Sequence, residues 1–261
     1  MALPSSWQPC WPAWRCSKGW SACANAAEVF HPRSLLNMTL PGILLPSSLA
    51  VWAGALATLG IPLAYEAWSC AAARHRPLSR ARGAHAHLRA DWLDAVSAQP
   101  GSEILAVQTL RNALMSATMA ASTAMLGLMG TVGIAAPSLR ALLQGAATPA
   151  PDSAVLAAAV LELALLVLLC ASLTALVAAV RHYHHAGFVA GMPVGSPARQ
   201  RWTPTGRDHL HKAGLFYSRG LRWLILGVPV TAGLLHPLAG VLVAVLWVAG
   251  LMRWDAPHAV A

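Results

Sequence analysis

Charged residues are scarce in this chain. Only 10% of its 261 residues are Asp, Glu, Lys or Arg, whereas 57% are hydrophobic. Soluble globular domains carry about 25% charged residues, because their surfaces must be wetted. The mean hydropathy of +0.55 points the same way. The composition therefore argues against an ordinary soluble domain and favours a membrane protein.

The sequence also lacks the common catalytic and cofactor motifs. It contains no G-x-S-x-G elbow, no Walker phosphate loop, no dinucleotide fingerprint and no H-E-x-x-H pair. Its five cysteines form no C-x-x-C pair, which disfavours a zinc site or a thioredoxin-like redox site. We expect no cofactor, no metal and no recognisable small-molecule substrate. An enzyme is disfavoured, although a membrane enzyme with a dispersed site stays open.

Residues 1–37 differ from the rest of the chain. They have no apolar periodicity, and four tryptophans lie among Pro, Ser and Cys: Trp7, Trp11, Trp14 and Trp20. A signal peptide needs a continuous apolar stretch after its basic start, and this segment has none. Two interpretations stay open, a disordered tail or upstream sequence that is not translated, with Met38 as the start.

Four apolar stretches predict helices that cross a bilayer. Each has roughly 20 mainly apolar residues, as a crossing requires, and they lie near residues 42–64, 107–136, 154–180 and 237–254. Before the last stretch, Pro229 and the His236-Pro237 pair interrupt the helical pattern. This interrupted pattern predicts that residues 221–236 form an interfacial or re-entrant helix. The expected fold is all-α, a membrane helical bundle over residues 38–261 with about four transmembrane helices.

The distribution of Lys and Arg predicts the orientation. Six basic residues lie in residues 65–111 and seven in residues 181–222, whereas the segment 137–153 has only Arg140. Loops rich in Lys and Arg stay in the cytoplasm. The basic loops 65–106 and 181–222 are thus expected to be cytoplasmic, with both termini on the periplasmic side of a bacterial inner membrane. The net charge is +9, and this placement indicates that the basic residues interact with the lipid bilayer rather than with nucleic acid.

The second apolar stretch has one polar face. At about 100° per residue, one side of this helix collects polar and thioether side chains, and the other side collects small apolar ones. The polar side holds Gln108, Arg111, Met115, Thr118, Met119, Ser122, Met125 and Met129. Because unpaired polar groups are costly in lipid, this face is expected to point into the bundle or an aqueous pocket. It could line a permeation path or a soft-metal site, or its methionines could simply fill gaps between helices.

Glu162 is the acidic residue inside an apolar stretch. A charged carboxylate is expensive within a membrane, so this group must be protonated or paired. The neighbours on its own helical face are Val155, Ala159, Leu166, Leu169 and Leu173, which are all apolar. Two interpretations stay open, a proton-coupled role or a carboxyl tolerated near the outer boundary.

The histidines form three groups near the basic loops. The groups are His85 and His87, then His182, His184 and His185, then His209 and His211. A His-x-His pattern alone is a weak metal signal, and no carboxylate or thiolate completes a ligand set at a recognisable spacing. Interfacial histidines beside arginines usually contact water or lipid phosphate.

The start of the second apolar stretch resembles a known family. Val107, Gln108, Thr109, Arg111, Asn112 and Met115 fit the pattern V-Q-T-x-R-N-x-x-M. That pattern is typical of the domain-of-unknown-function family 599, multi-pass membrane proteins of bacteria and plants. Arg89 and Trp92 fit an aromatic-basic segment that precedes it, and residues 217–223 resemble a later glycine-arginine-aromatic element, with Trp223-Leu224 in place of the usual Tyr-Phe. The resemblance covers roughly residues 39–254 and implies a membrane architecture, but no activity.

The resemblance makes Gln108, Arg111 and Asn112 a candidate functional polar cluster. Arg111 could supply charge to an anionic headgroup or substrate, with the two amides as hydrogen-bonding partners. Alternatively the cluster is a structural cap from which Arg111 snorkels to the interface. Three functions are compatible with these features: a small transporter or channel component that forms a homo-oligomer, a scaffold or assembly partner in the membrane, and a cofactor-binding membrane enzyme.

Overall fold

Six helices make up the computed structural model, which describes residues 48–75, 81–143 and 152–255. They are α1 (Ser48–His75), α2 (Ala81–Ala98), α3 (Glu103–Leu143), α4 (Ser153–Ala190), α5 (Pro197–Leu235) and α6 (Pro237–Trp254). No strand occurs in these ranges. The all-α prediction is confirmed. The interpretations of residues 1–37 concern residues outside the described ranges.

Four of these helices are long and apolar enough to cross a membrane. The qualifying segments are Ser48–Ala72, Glu103–Ala141, Ser153–Ala190 and Pro237–Trp254. The last agrees with the predicted boundaries, whereas the second and third extend beyond the predicted 107–136 and 154–180. Much of the two predicted basic loops is therefore helical. Hydropathy detects the part of a helix that suits lipid, and it does not detect where charged residues continue the same helix into water.

The helix predicted before the last span is the end of a longer one. Helix α5 runs from Pro197 to Leu235 without a break, and Pro229 lies inside it. Ser196 caps its start by accepting a hydrogen bond from the Arg199 N–H at 3.2 Å. Proline is tolerated inside a helix where neighbouring helices support the backbone, and Pro229 is buried. Residues 221–235 are therefore not a separate re-entrant element.

The core of the bundle is the antiparallel pair α4 and α5, whose helices pack closely along their length. Gly220 is required for this approach, because a Cβ there would lie 2.6 Å from Cγ of Leu176. Ser172 Oγ donates a hydrogen bond to the Gly220 carbonyl at 2.7 Å, and both residues are buried. Small residues and cross-helix hydroxyl bonds of this kind are typical of helix pairs in membranes.

The bundle has two hydrophobic cores, one beyond the other along its length. One joins α1, α4 and α5 around Leu161, Leu165 and Val230. The other joins α2, α3, α4 and α5 around Leu93 and Leu210. We call the part of the bundle around the first core the apolar half; it contains α1, α6 and the adjoining halves of α3, α4 and α5. We call the part around the second core the charged half; it contains α2 and the other halves of α3, α4 and α5. Helices α3, α4 and α5 have 41, 38 and 39 residues, so each is about 60 Å long and twice as long as a ~30 Å hydrocarbon layer.

Helix α6 runs parallel to α1. At one end, a Cβ on Gly54 would lie 2.7 Å from Cβ of Pro237, which begins α6. At the other end, Tyr65 Oη donates to Asp255 Oδ2 at 3.0 Å, directly after α6. The end of α6 therefore lies on the side toward which α1 leads, opposite to Ser48. In the predicted arrangement of four crossings, the first and last spans would run antiparallel. In the structure α5 reaches the Ser48 end before α6 begins, so α1 and α6 run parallel.

Candidate functional site

The predicted polar cluster lies on the surface of the charged half. Gln108, Arg111 and Asn112 are exposed near the start of α3. Gln108 and Arg111 line an open cavity of about 360 Å³ together with Val107 and Gly191. The structure thus brings the cluster together on one face, where water or a partner can reach it.

The polar and methionine face of α3 points outward. Met119 and Met129 are 69% and 62% exposed, whereas Ala117 and Ala124 on the opposite face are fully buried. Of the two predicted surroundings for the polar face, the interior of the bundle is wrong, and an aqueous pocket stays a prediction. Alanine permits the closer approach to α4, and the exposed hydroxyls are satisfied within the helix. Thr123 Oγ1, for example, donates to the Met119 carbonyl at 3.0 Å.

Among the described residues, Glu162 has a polar neighbour on a different helix. Its carboxyl lies close to the hydroxyl of Ser138 on α3. Its Oε2 atom is buried and has no hydrogen-bond partner among the described residues. Helical periodicity within α4 could not reveal Ser138, because the two residues meet only through the packing of α3 against α4. Glu162 lies in the apolar half, about two and a half turns from the start of α4 at Ser153.

Three histidines meet between α4 and α5 in the charged half. His182 Nδ1 lies 2.8 Å from His209 Nδ1, and the ring of His185 lies 5.0 Å from that of His209. In this contact one Nδ1 atom must carry a hydrogen and donate it, and the other Nδ1 must accept. The two Nδ1 atoms therefore cannot both be protonated. Burial and the neighbouring His185 lower the pKa of His209. Phe216 stacks on His182.

The histidine contact does not complete a metal site. Within the part of the chain that the structure describes, no group of three or more His, Cys, Asp or Glu side chains is arranged to hold a metal ion. The remaining histidines that were candidates, His85, His184 and His211, are exposed, and the side chain of His87 lies outside the described residues. The close pair His182 and His209 can share a proton between α4 and α5, which is the chemistry that its geometry supports.

An ion network joins three helices where the two halves meet. Arg222 of α5 donates from Nη1 to Glu66 Oε1 of α1 at 2.7 Å and from Nη2 to Asp255 Oδ1 after α6. The three side chains are only 14%, 16% and 9% exposed. Buried charges require partners of this kind. Sequence reasoning missed the network because its members lie at the ends of three apolar stretches that are distant in sequence.

A comparison with protein families matches residues 53–260 of the chain to the family described as "Protein of unknown function, DUF599". The chain belongs to this family. The resemblance seen in the sequence is thereby confirmed over most of the chain. No curated protein and no solved structure matches the DUF599 chain.

Two residues of α2, which belong to the aromatic-basic segment that resembles the family, help to hold the charged half together. Arg89 crosses Gly214 of α5 so closely that a Cβ on Gly214 would lie 2.3 Å from the guanidinium carbon. Trp92 packs against the core of the charged half. In this DUF599 protein these two positions therefore have a packing role, and they fix α2 on α5.

Arg199 closes the far end of the charged half. Its Nη1 atom donates to the carbonyls of Ala190 at 2.6 Å and Met192 at 2.7 Å, and its Nη2 atom donates to Ser97 Oγ at 3.1 Å. Burial lowers the pKa of Arg199, an effect that the charge of Glu103 opposes. One buried side chain thus satisfies the end of α4 and ties it to α2 and α5.

Proposed function

We propose that this DUF599 protein is a membrane subunit that acts by pairing with a second copy of itself through the exposed face of α3. The observation that carries the proposal is a heptad seam, a series of exposed positions with alternating spacings of four and three residues. Its members are Leu105, Thr109, Asn112, Ser116, Met119, Thr123, Leu126, Gly130 and Gly133. Such spacing keeps one face of a helix against a partner helix over several turns.

The part of the seam that lies in the apolar half, from Thr123 to Gly133, has the composition of a helix contact within a membrane. One position of each heptad is small, namely Thr109, Ser116, Thr123 and Gly130. Small residues let two backbones approach, and close packing drives helix association where lipid offers no hydrophobic force. Apart from its chain neighbours and the adjacent backbone of α3, no atom of the described residues would lie within 4 Å of a Cβ on Gly130. The seam is therefore open to a partner at its narrowest point.

A second copy is the partner that the seam fits best. A two-fold contact places the same residues on both sides, so a charged seam would repel itself. Between Asn112 and Gly133 the seam carries no charge, and like charges do not oppose pairing there. The transporter interpretation takes a specific form in this arrangement. A permeation path would lie between two copies, along the polar residues of α3, because that face points out of the single chain.

We expect the double substitution Thr123→Leu and Gly130→Leu to weaken the dimer at least about tenfold, which corresponds to about 1.4 kcal/mol. The added side chains would keep the two α3 backbones apart. Light scattering of the detergent-purified protein over a range of concentrations measures the association constant. The combined substitution Thr174→Leu and Gly60→Leu makes the same two enlargements at exposed positions of α4 and α1, and it is the matched control.

Wild-type protein that is monomeric at every concentration would contradict the pairing. So would a double variant that associates as tightly as the control. Solute flux into proteoliposomes, if present, should fall with the dimer. Flux that persists in a monomeric variant would exclude a path between two copies.

We further propose that the charged half faces the cytoplasm of a bacterial inner membrane. The apolar half then crosses the bilayer with five segments, α1, α6 and the apolar halves of α3, α4 and α5. Helix α6, with 18 residues, has a length of about 27 Å, close to the ~30 Å hydrocarbon thickness. The excess of Lys and Arg supports this orientation, and the parallel course of α1 and α6 supports a cytoplasmic location for the end of α6.

Reporter fusions test this topology. We expect fusions after Asp255 and at Ser196 to report a cytoplasmic location, and a fusion at residue 150 to report a periplasmic one. Four crossings with both termini outside would instead put the fusion after Asp255 in the periplasm. That single result would overturn the fifth crossing, while the Ser196 fusion checks the orientation independently.

A further inference from the structure

We infer that a groove between α1 and α5 binds the phosphate group of a membrane lipid, with Arg219 as its ligand. The groove has a volume of about 230 Å³ and lies beside the ion network, where the apolar and charged halves meet. Its walls are Leu63, Glu66, Ala67, Cys70, Arg219, Arg222 and Trp223. The inference rests on the proposed placement of the apolar half in the bilayer, which puts this groove at the cytoplasmic interface.

Aromatic residues on the helix segments next to the groove support an interfacial position. Tyr65 and Trp68 lie in contact on α1, with ring centroids 6.0 Å apart. Trp223 lines the groove, and Trp254, which ends α6, is exposed. Tyrosine and tryptophan are enriched at the level of lipid headgroups, where one part of the ring meets acyl chains and the other meets water.

Arg219 is the cation that the groove offers to a ligand. Arg222 also lines the groove, but its guanidinium donates to the carboxylates of Glu66 and Asp255. Arg219 lies one turn earlier on α5, is exposed, and makes no hydrogen bond or ion pair with another residue of the described ranges. The ion network therefore holds α1, α5 and α6 in place while Arg219 keeps its donors available.

The chemistry of the groove fits a lipid better than a free anion. A guanidinium binds phosphate oxygens through two parallel N–H donors. Leu63, Ala67 and Trp223 add apolar surface next to that charge, and an acyl chain can cover this surface. Basic pockets between transmembrane helices on the cytoplasmic side bind lipid headgroups in the same way. The ligand class is therefore a glycerophospholipid, with its phosphate at Arg219.

Native mass spectrometry of the full chain in detergent tests the site with three probes. Phosphatidylglycerol has both phosphate and acyl chains, diacylglycerol has the chains alone, and inorganic phosphate has the anion alone. We expect Arg219→Gln to weaken the binding of phosphatidylglycerol about tenfold, because a charge-assisted hydrogen bond is lost. Diacylglycerol binding should not change. Arg201→Gln, at another exposed arginine of α5, is the matched control and should bind all probes as the wild type does.

Equal affinity of phosphatidylglycerol for the wild type and Arg219→Gln would overturn the site. If inorganic phosphate binds the wild type as tightly as phosphatidylglycerol does, the conclusion that the bound phosphate belongs to a lipid would be overturned. A second variant, Ala67→Phe, fills the apolar part of the groove and should weaken both lipids but not phosphate. None of these measurements depends on pairing through α3. Failure of the lipid site and failure of the proposed dimer are therefore distinguishable.

Discussion

Replacing Arg199 with methionine is expected to lower the free energy of unfolding by about 3–5 kcal/mol. The Arg199 side chain is 2% exposed, and its guanidinium satisfies two backbone carbonyls at the end of α4. Methionine fills a similar volume without any donor. The substitution would therefore leave the buried carbonyl of Ala190 and the partly buried carbonyl of Met192 without these hydrogen bonds, and the loss at a buried carbonyl costs about 1–3 kcal/mol.

Chemical unfolding of the detergent-purified variants measures this loss. Arg201→Met is the matched control, because Arg201 lies two residues further along α5 and is exposed. Its substitution should change stability by less than about 0.5 kcal/mol. Arg199→Lys separates charge from shape, since one ammonium cannot reproduce the planar fork that reaches α2 and α4 together. An Arg199→Met variant as stable as Arg201→Met would show that the end of α4 needs no side-chain cap.

Four of the six described helices were predictable from sequence, because a helix that can cross a bilayer needs a long apolar run. A run of about 20 apolar residues is long enough to cross, and the last predicted span, 237–254, agrees with α6. The continuation of α4 to Ala190 was not predictable from hydropathy, because Arg181 and the histidines after it look like a loop. Their helical state follows from packing against α5, which only the folded chain shows.

The direction of the α3 face was predicted wrongly for a related reason. Polar side chains were expected inside because lipid does not satisfy them. The hydroxyl groups on α3 instead bond to their own helix, as Thr118 Oγ1 does to the Leu114 carbonyl at 2.9 Å, so they carry little cost outside. Ala117 and Ala124, fully buried, permit the tighter contact. Packing volume therefore decided the orientation, and polarity did not.

The sites that join distant segments were beyond sequence analysis. Gln108, Arg111 and Asn112 are close together along the chain, and all three are exposed near the start of α3. His182 and His209 meet only because α4 and α5 form an antiparallel pair. Glu66, Arg222 and Asp255 were overlooked because each alone resembles an ordinary charge at the end of an apolar stretch. A single sequence contains no signal for such a contact without the topology.

Substitutions in the ion network are expected to have a second large effect on the free energy of unfolding. Removing one of its charges should destabilise the protein more than removing all three. Arg222→Leu is expected to destabilise the protein by about 3–5 kcal/mol, because it leaves two largely buried carboxylates without their shared cation. The combined substitution Glu66→Gln, Arg222→Met and Asp255→Asn removes every charge at once. It should recover most of that loss, since a buried ion network stabilises little compared with neutral side chains of similar size.

Unfolding of the single and triple variants under the same detergent conditions provides the comparison. Arg219→Leu is the matched control, since Arg219 lies on the same helix one turn earlier and is exposed, and its loss should change stability little in lipid-free detergent. Equal destabilisation of the triple and single variants would mean that the charges themselves hold α1, α5 and α6 together. Recovery in the triple variant would mean that the network mainly prevents mispairing, because Arg222 fits only where Glu66 and Asp255 converge. The carboxylates would then specify that α6 ends beside α1, and the apolar contacts of Leu161, Leu165 and Val230 would supply the stability.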